Sequence, residues 1–358
     1  MVSDRPTIEA WLKEIVSPLA NEIDGNRARL RRVLQQMGDR SWLAMKAPVE
    51  LGGMGLKEVD YRSLQITLAR TSGALTFLQT QHQSAVSKLA QSPNQALQRQ
   101  FFPGVAKGEP LIGVGFSHLR RLGQPAVRAT ETSEGYLISG KVPWITGYGY
   151  FDWFILGATL ADGRELYGLL PLQNATQKNG SIACSQPMEL LAAAATDTVS
   201  ATIDRWLLSR DRLVSINPPG AIHQSSRQNI LNHGFYALGC AYAGLDILQG
   251  VARGKQLKFI ASSWQTLFDE VRLQEMRGMN YVANGQTTYA EKLEFRTAAI
   301  DLAQRCSLAA VVASSGAANY LHSSAGRVYR EALLFSVSGQ TTDVMANSLK
   351  RLTVNGKP

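Results

Sequence analysis

Trp144 and Thr146 offer an indole and a hydroxyl at the end of one predicted strand, in the segment Trp144-Ile145-Thr146-Gly147. An aromatic wall beside a hydrogen-bond donor suits a planar heterocycle, such as a flavin ring. The same residues equally suit a core tryptophan followed by a turn threonine. This segment alone leaves both interpretations open.

The histidines and glycines of the chain provide no familiar metal, nucleophile or dinucleotide motif. None of the histidines has HExxH or other metal-ligand spacing, so we expect no metal site. There is no GxSxG nucleophile segment, and Gly113 and Gly115 lack the third glycine and the following helix of a dinucleotide fold. A Rossmann domain is therefore not expected.

Two basic clusters could meet an anionic partner. The run from Arg27 to Arg32 lies on an amphipathic helix without interleaved aromatic residues, which favours a solvated face over nucleic-acid binding. Arg120 and Arg121 directly follow the first predicted strand. They are candidates for a phosphate contact, or else a pair of loop charges.

The composition is typical of a folded protein from a reducing compartment. The chain has 358 residues, of which 45% are hydrophobic and 18% charged, with a net charge of +9. That content excludes disorder and a small disulfide scaffold. Three widely spaced cysteines and acidic residues near the start predict a cytoplasmic protein without a signal peptide or membrane insertion.

The chain divides into three blocks by pattern. Residues 1–110 have helical periodicity, which includes a helical stretch over 59–91. Residues 111–218 form short apolar runs separated by turn residues, and Asp162-Gly163 predicts a hairpin. Residues 219–358 return to long Ala- and Leu-rich helices, which predicts an antiparallel bundle.

Several segments together resemble the acyl-CoA dehydrogenase superfamily of flavoproteins over nearly the whole chain. The segment GYLISGKVPWITG is the most specific match, to the family's Tyr-x-Leu-Asn-Gly-x-Lys-x-Trp-Ile-Thr stretch. The other segments similar to the family are APVELGGMGL, LARTSGAL, FFPGVAKGEPLIGVGFS and GRVYREALLFSVSGQT. The resemblance implies an α+β multidomain fold with an N-terminal helical domain, a central β-barrel-like domain and a C-terminal four-helix bundle.

The resemblance also implies a cofactor, a substrate and an assembly. FAD would lie between the β domain, the bundle and a neighbouring subunit of a homodimer or homotetramer, and the substrate would be an acyl-CoA. Trp144 would pack on the flavin ring and Thr146 would bond near its N5. The other implied cofactor-binding residues are Val114 and Ser117 on the first strand, Gly316 in a Gly-Gly-x-Gly-like segment, and Thr341 in the tail.

The catalytic glutamate of the family is the main departure. On the tail alignment its place is Gly339, preceded by Ser338, and the alternative position on the first bundle helix aligns near Asn229. A positioned base contributes roughly 10² to 10⁴ in rate, which glycine cannot supply. His233 is the preferred replacement, Glu331 is a second candidate, and a histidine that only packs in the bundle is the alternative.

Further departures concern the nucleotide half of the cofactor. The family's Arg-x-x-Phe-Gly loop is missing or shortened around Arg253-Gly254-Lys255, and an acidic segment is replaced by Gly115 to Arg120. The flavin-ring pocket is thus expected to be retained more fully than the pyrophosphate contacts. Arg120, Arg121 and Arg253 are the candidates for an anionic contact.

Three functions follow from these residues. The first is a flavin-dependent α,β-dehydrogenation of an acyl thioester, with hydride transfer to flavin N5. The second is a flavin monooxygenase of the same superfamily that uses FMN, in which Ser338 or the Ser117-His118 pair stands near the flavin. The third is a non-catalytic homologue.

Overall fold

The N-terminal region consists of helices. The computed structural model describes residues 5–354. The first helix continues through a π turn and a 3-10 turn before the second begins. The helices are α1 (Arg5–Trp11), α2 (Ala20–Gly25), α3 (Arg27–Asp39), α4 (Glu58–Thr71), α5 (Gly73–Ala90) and α6 (Gln95–Val105).

Capping side chains determine where these helices begin. The Asn26 side chain accepts a hydrogen bond from Arg29 N–H at the start of α3. The helical stretch predicted over 59–91 is two helices, because Ser72 leaves the helical conformation and its side chain accepts from Leu75 N–H at the start of α5. The predicted helical character of this region is confirmed.

The central region is one mixed sheet of nine strands. Its strands are β1 (Ile112–Gly115), β2 (Val127–Glu131), β3 (Gly135–Ile145), β4 (Trp153–Thr159), β5 (Glu165–Pro171), β6 (Ala175–Gln177), β7 (Gly180–Cys184), β8 (Val199–Ser209) and β9 (Leu213–Asn217). The strand order is β6-β7-β8-β3-β2-β4-β5-β9, and β1 pairs with β4 in parallel.

The sheet folds back over its own core. A Cβ on Gly168 of β5 would lie 2.3 Å from the Leu208 side chain of β8, so these two strands face each other closely. The predicted hairpin at Asp162-Gly163 is confirmed: β4 and β5 pair antiparallel across it, and Gly163 has φ +85°.

The C-terminal region is again helical, and α8 is its central helix. The helices are α7 (Ala221–Gln228), α8 (Asn232–Lys255), α9 (Lys258–Asn284), α10 (Tyr289–Ser314), α11 (Ser324–Val337) and α12 (Thr342–Val354). Gly239 of α8 lies against the backbone of α4, and Gly244 lies against the backbone of α10. By length and composition alone α8 could cross a membrane, but two thirds of its apolar window is buried inside the protein.

Candidate active site

One large cleft, with a volume of about 1560 Å³, lies where the three regions meet. Its walls come from the end of β1, one face of α5, the start of α8 and the turn between α11 and α12. The cleft brings together most of the predicted site residues, which are Val114, Ser117, Trp144, Thr146, His233, Ser338 and Thr341, and Gly339 also lines it.

Trp144 and Thr146 stand side by side at the end of β3. Side chains two residues apart on a strand point to the same face, and both line the cleft. The Trp144 indole is 47% exposed, so one of its faces is free to pack on a ligand. Thr146 is buried, and its hydroxyl lies 3.0 Å from that of Thr198.

The strand β1 presents free backbone groups to the cleft. It pairs with β4 along one edge, and on the other edge Ile112 N–H donates to His82 Nδ1 over 2.9 Å. Because backbone groups alternate in direction along a strand, those of Val114 point to the same side as those of Ile112. Val114 lines the cleft, so its N–H and C=O are placed to bond a ligand edge.

His233 occupies the space that a side chain at position 339 would need. A Cβ on Gly339 would lie 2.6 Å from His233 Nε2, and Gly339 has φ +62°. The other ring nitrogen, Nδ1, lies 3.2 Å from Ser338 Oγ. An imidazole from α8 thus fills the space beside Gly339, and it bonds to the neighbouring serine.

The surroundings of His233 keep its ring neutral. Burial lowers its pKa well below the usual value, and the positive charges of Arg296, Arg120 and Arg62 lower the pKa further. Arg296 is the deepest of these arginines, and its guanidinium donates to the carbonyls of Ser338 and Gly339 over 2.7 and 3.1 Å. Arg296 therefore holds the turn that carries Ser338.

Positive charge dominates the cleft lining. Among the described lining residues the only carboxylate is Asp343, which bonds Tyr289 and pairs with Arg227. The cationic residues that line the cleft are Lys46, Arg62, Lys88, Arg120, Arg121 and Arg227. Burial lowers the pKa of Lys88 to about 8, and its ammonium lies 3.4 Å from the centre of the Tyr167 ring.

Two predicted contact residues lie far from the cleft. Arg253 follows His233 by twenty residues on the same helix, which is about 30 Å at 1.5 Å per residue. Gly316 lies at that same distant end, where Lys255 donates to the Ala313 carbonyl of α10. Within this chain, Arg253 and Arg120 therefore do not share one contact, and Gly316 does not line the cleft.

Two other candidates have structural partners instead. Glu331 is fully buried, where it accepts from Gly73 N–H and pairs with Arg327, so it is wrong as a replacement base. His118 is buried beside the cleft, and its Nε2–H donates to the Gly157 carbonyl over 2.9 Å.

The remaining candidates differ in whether they reach the cleft. Ser117 lines the cleft, but the adjacent His118 does not. Asn229 lines the cleft and brings an amide rather than a carboxylate.

One wall of the cleft was not predicted from the sequence. Polar residues recur on α5 at the spacing of one helical face, and all of them line the cleft: Thr80, Gln81, Ser84, Ser87 and Lys88. A polar stripe on an otherwise apolar helix was the available signal. Arg296 gave no such signal, because its role depends on a turn 42 residues further along the chain.

Comparisons with known proteins agree with this architecture. The sequence profile of the acyl-CoA dehydrogenase N-terminal domain matches residues 4–109. Mitochondrial isovaleryl-CoA dehydrogenase of Pongo abelii is 28% identical over 149 residues, which are 40% of this chain and about a third (35%) of that relative. These matches make the chain similar to the acyl-CoA dehydrogenase superfamily.

Solved structures of this superfamily share the fold over the whole chain. Butyryl-CoA dehydrogenase from Megasphaera elsdenii superposes with a TM-score of 0.80 at 14% identity, covering 99% of both chains. Glutaryl-CoA dehydrogenase from Mycobacterium smegmatis, in complex with FADH2, gives 0.82 at 13% identity, covering 99% of this chain and 94% of that one. The acyl-CoA dehydrogenase fold expected from the sequence is confirmed.

The cleft has the features that a flavin ring requires. The exposed Trp144 indole, the Thr146 hydroxyl and the outward backbone groups of Val114 line one cleft and offer stacking and hydrogen bonds there. The connection expected to differ near Arg253-Gly254-Lys255 is short, since Gln256 and Leu257 alone join α8 to α9. The residues present therefore fit the flavin ring system.

Proposed function

We propose that the protein is a flavin-dependent oxidoreductase that acts on an acyl-CoA or a related acyl thioester, with FAD as its cofactor. The proposal rests on one observation: the flavin-type wall of Trp144, Thr146 and Val114 faces the same cleft as the Ser338–His233 pair. The similarity to acyl-CoA dehydrogenases in sequence and in fold supports this class of activity. A bound oxidised flavin would supply hydride acceptance at N5.

The Ser338–His233 contact determines which nitrogen of the ring can accept a proton. If Nδ1 carries the hydrogen and donates it to Ser338 Oγ, Nε2 keeps a free lone pair. A ring kept neutral by its lowered pKa is in the correct state for that role at pH 7. In this proposal His233 faces the reacting carbon and Ser338 is a positioning residue.

We also propose a homo-oligomeric assembly and a cytoplasmic location. Exposed apolar side chains recur on neighbouring bundle helices, which supports a homodimer or homotetramer. The three cysteines are free in the structure, which supports a reducing compartment such as the cytoplasm.

The decisive experiment is a visible spectrum of the purified protein, followed by identification of the released flavin. We expect bound FAD, and anaerobic addition of an acyl-CoA should bleach it. Failure to bind flavin after reconstitution with FAD or FMN would contradict the proposal. His233→Gln should slow bleaching by roughly 10²-fold or more if the ring accepts the proton.

A pair of tryptophan variants separates cofactor contact from stability. Trp144→Ala should lower flavin content with little change in unfolding, because the indole is already half exposed. The control is Trp206→Ala, since Trp206 is only 9% exposed. It should cost about 3 to 5 kcal/mol of stability, while the folded fraction keeps its flavin.

A monooxygenase of the same superfamily is the second candidate. It is favoured by one feature: Ser338 and His233 stand where the dehydrogenase glutamate would be, and Gly339 brings no carboxylate. Oxygen consumption with reduced flavin, together with a hydroxylated product, would favour this candidate over dehydrogenation. Recovery of FMN rather than FAD would point the same way.

A further inference from the structure

Two lysines line the cleft within the described part of the chain, and they differ in what balances their charge. The Lys46 ammonium pairs with the Glu58 carboxylate. Lys88, on α5, makes no ion pair or hydrogen bond to any described residue. Its ammonium lies 3.4 Å from the centre of the Tyr167 ring and 5.6 Å from that of Phe116. Lys88 is therefore a cation packed on aromatic faces without an anion beside it.

The carboxylate that acts on Lys88 is engaged by other groups. Glu165 of β5 accepts from the Tyr167 hydroxyl over 2.9 Å and from Ile222 N–H over 3.0 Å. Burial lowers the pKa of Lys88 to about 8, although the charge of Glu165 acts in the opposite direction. At pH 7 roughly a tenth of such a group is the neutral amine, against fewer than about one in a thousand for an ordinary lysine.

We infer that Lys88 is an acylation site, modified at Nζ by the acyl thioester that the cleft binds. The inference rests on the proposed function for the presence of a thioester in the cleft. The reaction itself is a second one, which needs no flavin and leaves the acyl group on the protein.

The chemistry is an acyl transfer from sulfur to nitrogen. The Nζ lone pair attacks the thioester carbonyl carbon, the C–N bond forms and the C–S bond breaks. CoA leaves as its thiol and takes up the proton that the amine loses, so no oxidant or reductant is needed. The product is a neutral amide.

Two features of the cleft favour this transfer. The cleft holds the amine and the bound thioester in one space, which raises their effective concentration above that of a lysine in solution. The amide also removes a half-buried positive charge that no described residue balances. The aromatic rings that pack on the ammonium can pack on the amide as well.

Acetyl-CoA is the probe, because its acyl group has no β-hydrogen and cannot undergo α,β-dehydrogenation. The purified protein is incubated with acetyl-CoA at neutral pH, and peptide mass spectrometry follows the acetylation of each lysine with time. We expect Lys88 to react at least about tenfold faster than Lys141. Lys141 is the reference because it is exposed on β3 and does not line the cleft. Equal rates at the two lysines would overturn the inference, and this comparison needs no variant.

Competition shows whether the thioester reacts from within the cleft. Excess CoA should slow the acetylation of Lys88 by occupying the cleft, and it should leave the acetylation of Lys141 unchanged. Acetylation of Lys88 that excess CoA does not slow would overturn the inference, since the thioester would then react from solution.

A pair of charge-conserving variants assigns the site. Lys88→Arg should remove the fast acetylation, because a guanidinium keeps the positive charge and stays protonated. Lys46→Arg is the matched control, since Lys46 lines the same cleft but is paired with Glu58. It should retain the fast acetylation. Loss of the fast acetylation in Lys46→Arg, with its retention in Lys88→Arg, would overturn the inference.

The proposed function is judged by separate readouts. Flavin content and bleaching by butyryl-CoA test the oxidoreductase, whether or not Lys88 is modified. Fast acetylation of Lys88 without bleaching would contradict the oxidoreductase and support the acylation site. Bleaching without acetylation of Lys88 would support the oxidoreductase and overturn the acylation site.

Discussion

At the scale of residues, the imidazole of His233 and the bare backbone of Gly339 form one unit. The ring fills the volume above the glycine, and the positive φ of Gly339 lets the turn pass beneath it. Ser338 then reaches Nδ1 from the same turn. A change at any one of these three residues therefore affects the other two.

We predict that Gly339→Glu does not restore a family-type base. The new Cβ would meet His233 Nε2 at 2.6 Å in a left-handed backbone conformation. The variant should lose about 2 to 4 kcal/mol of stability in urea unfolding. Gly316→Ala is the control, because a Cβ there has open space and the change should stay within about 0.5 kcal/mol. Unchanged stability of Gly339→Glu would show that the ring does not occupy this space.

A second prediction concerns His118 and acid. Burial lowers its pKa to about 4, and its buried Nδ1 has no hydrogen-bond partner within the described part of the chain. The unfolded ring has a pKa near 6.5, so between these values unfolding takes up a proton, and stability falls as the pH falls below 6.5.

From pH 7 to pH 5 this histidine should account for about 2 kcal/mol of lost stability. Denaturant unfolding of His118→Gln at both pH values should show a smaller loss than the wild type by about that amount. The same pH dependence in both proteins would contradict the buried neutral ring.

Part of the site could be predicted from the residue types alone. Trp144, Thr146, His233 and Ser338 were identified because an aromatic residue, hydroxyls and an imidazole carry chemistry wherever they fold. The role of Arg296 was not predictable, because it depends on the turn after α11 reaching back to α10. Glu331 was misjudged for the same reason, since its partners come from α5 and its own helix.

At the scale of elements, α8 is held by close backbone contacts rather than by large side chains. A Cβ on Gly239 would lie 2.4 Å from the Ile66 carbonyl of α4, and one on Gly244 would lie 2.7 Å from the Cys306 backbone of α10. These contacts fix where α8 lies against α4 and α10. They therefore also fix the position of His233, which lies near the start of α8.

Gly244→Ala should therefore destabilise the protein by about 1 to 2 kcal/mol, since backbone must move. Gly250→Ala lies on the same helix with open space around the new Cβ. It should be neutral or stabilise the protein by up to about 1 kcal/mol through helix propensity. Urea midpoints of the two variants provide the comparison, and equal midpoints would contradict the close packing of α8.

The sequence predicted which segments are helices or strands better than it predicted where each helix or strand ends. The helical period and the Asp162-Gly163 turn predicted α3 and the β4–β5 hairpin from local residues. The break at Ser72 depends on a capping hydrogen bond that periodicity does not reveal. The order of strands in the sheet depends on pairing between distant segments, for which local pattern gives no signal.

At the scale of the whole molecule, three neighbouring bundle helices expose apolar side chains away from the cleft. These are Leu308 and Val312 on α10, Tyr329 on α11, and Leu349 and Leu352 on α12. Monomeric proteins rarely leave such surface uncovered. A second copy of the chain is the partner that the superfamily resemblance implies.

We predict a homodimer or homotetramer by light scattering coupled to size-exclusion chromatography. Val312→Glu should shift the protein towards monomers, because Val312 is 71% exposed and a buried charge would oppose association. Ile15→Glu, at an exposed apolar residue outside the bundle, should keep the wild-type mass. A monomeric wild type would contradict the prediction.

The cleft takes walls from the N-terminal helices, the sheet and the bundle at once. A ligand held there adds its binding energy to all three regions simultaneously, because it binds only when the three are in place. Loading the cleft should therefore raise the midpoint of unfolding of the whole chain. The apolar cores already cross the borders between regions, since one core joins the N-terminal helices to the sheet and another joins α4 to the bundle, so the ligand reinforces a coupling that the chain itself makes.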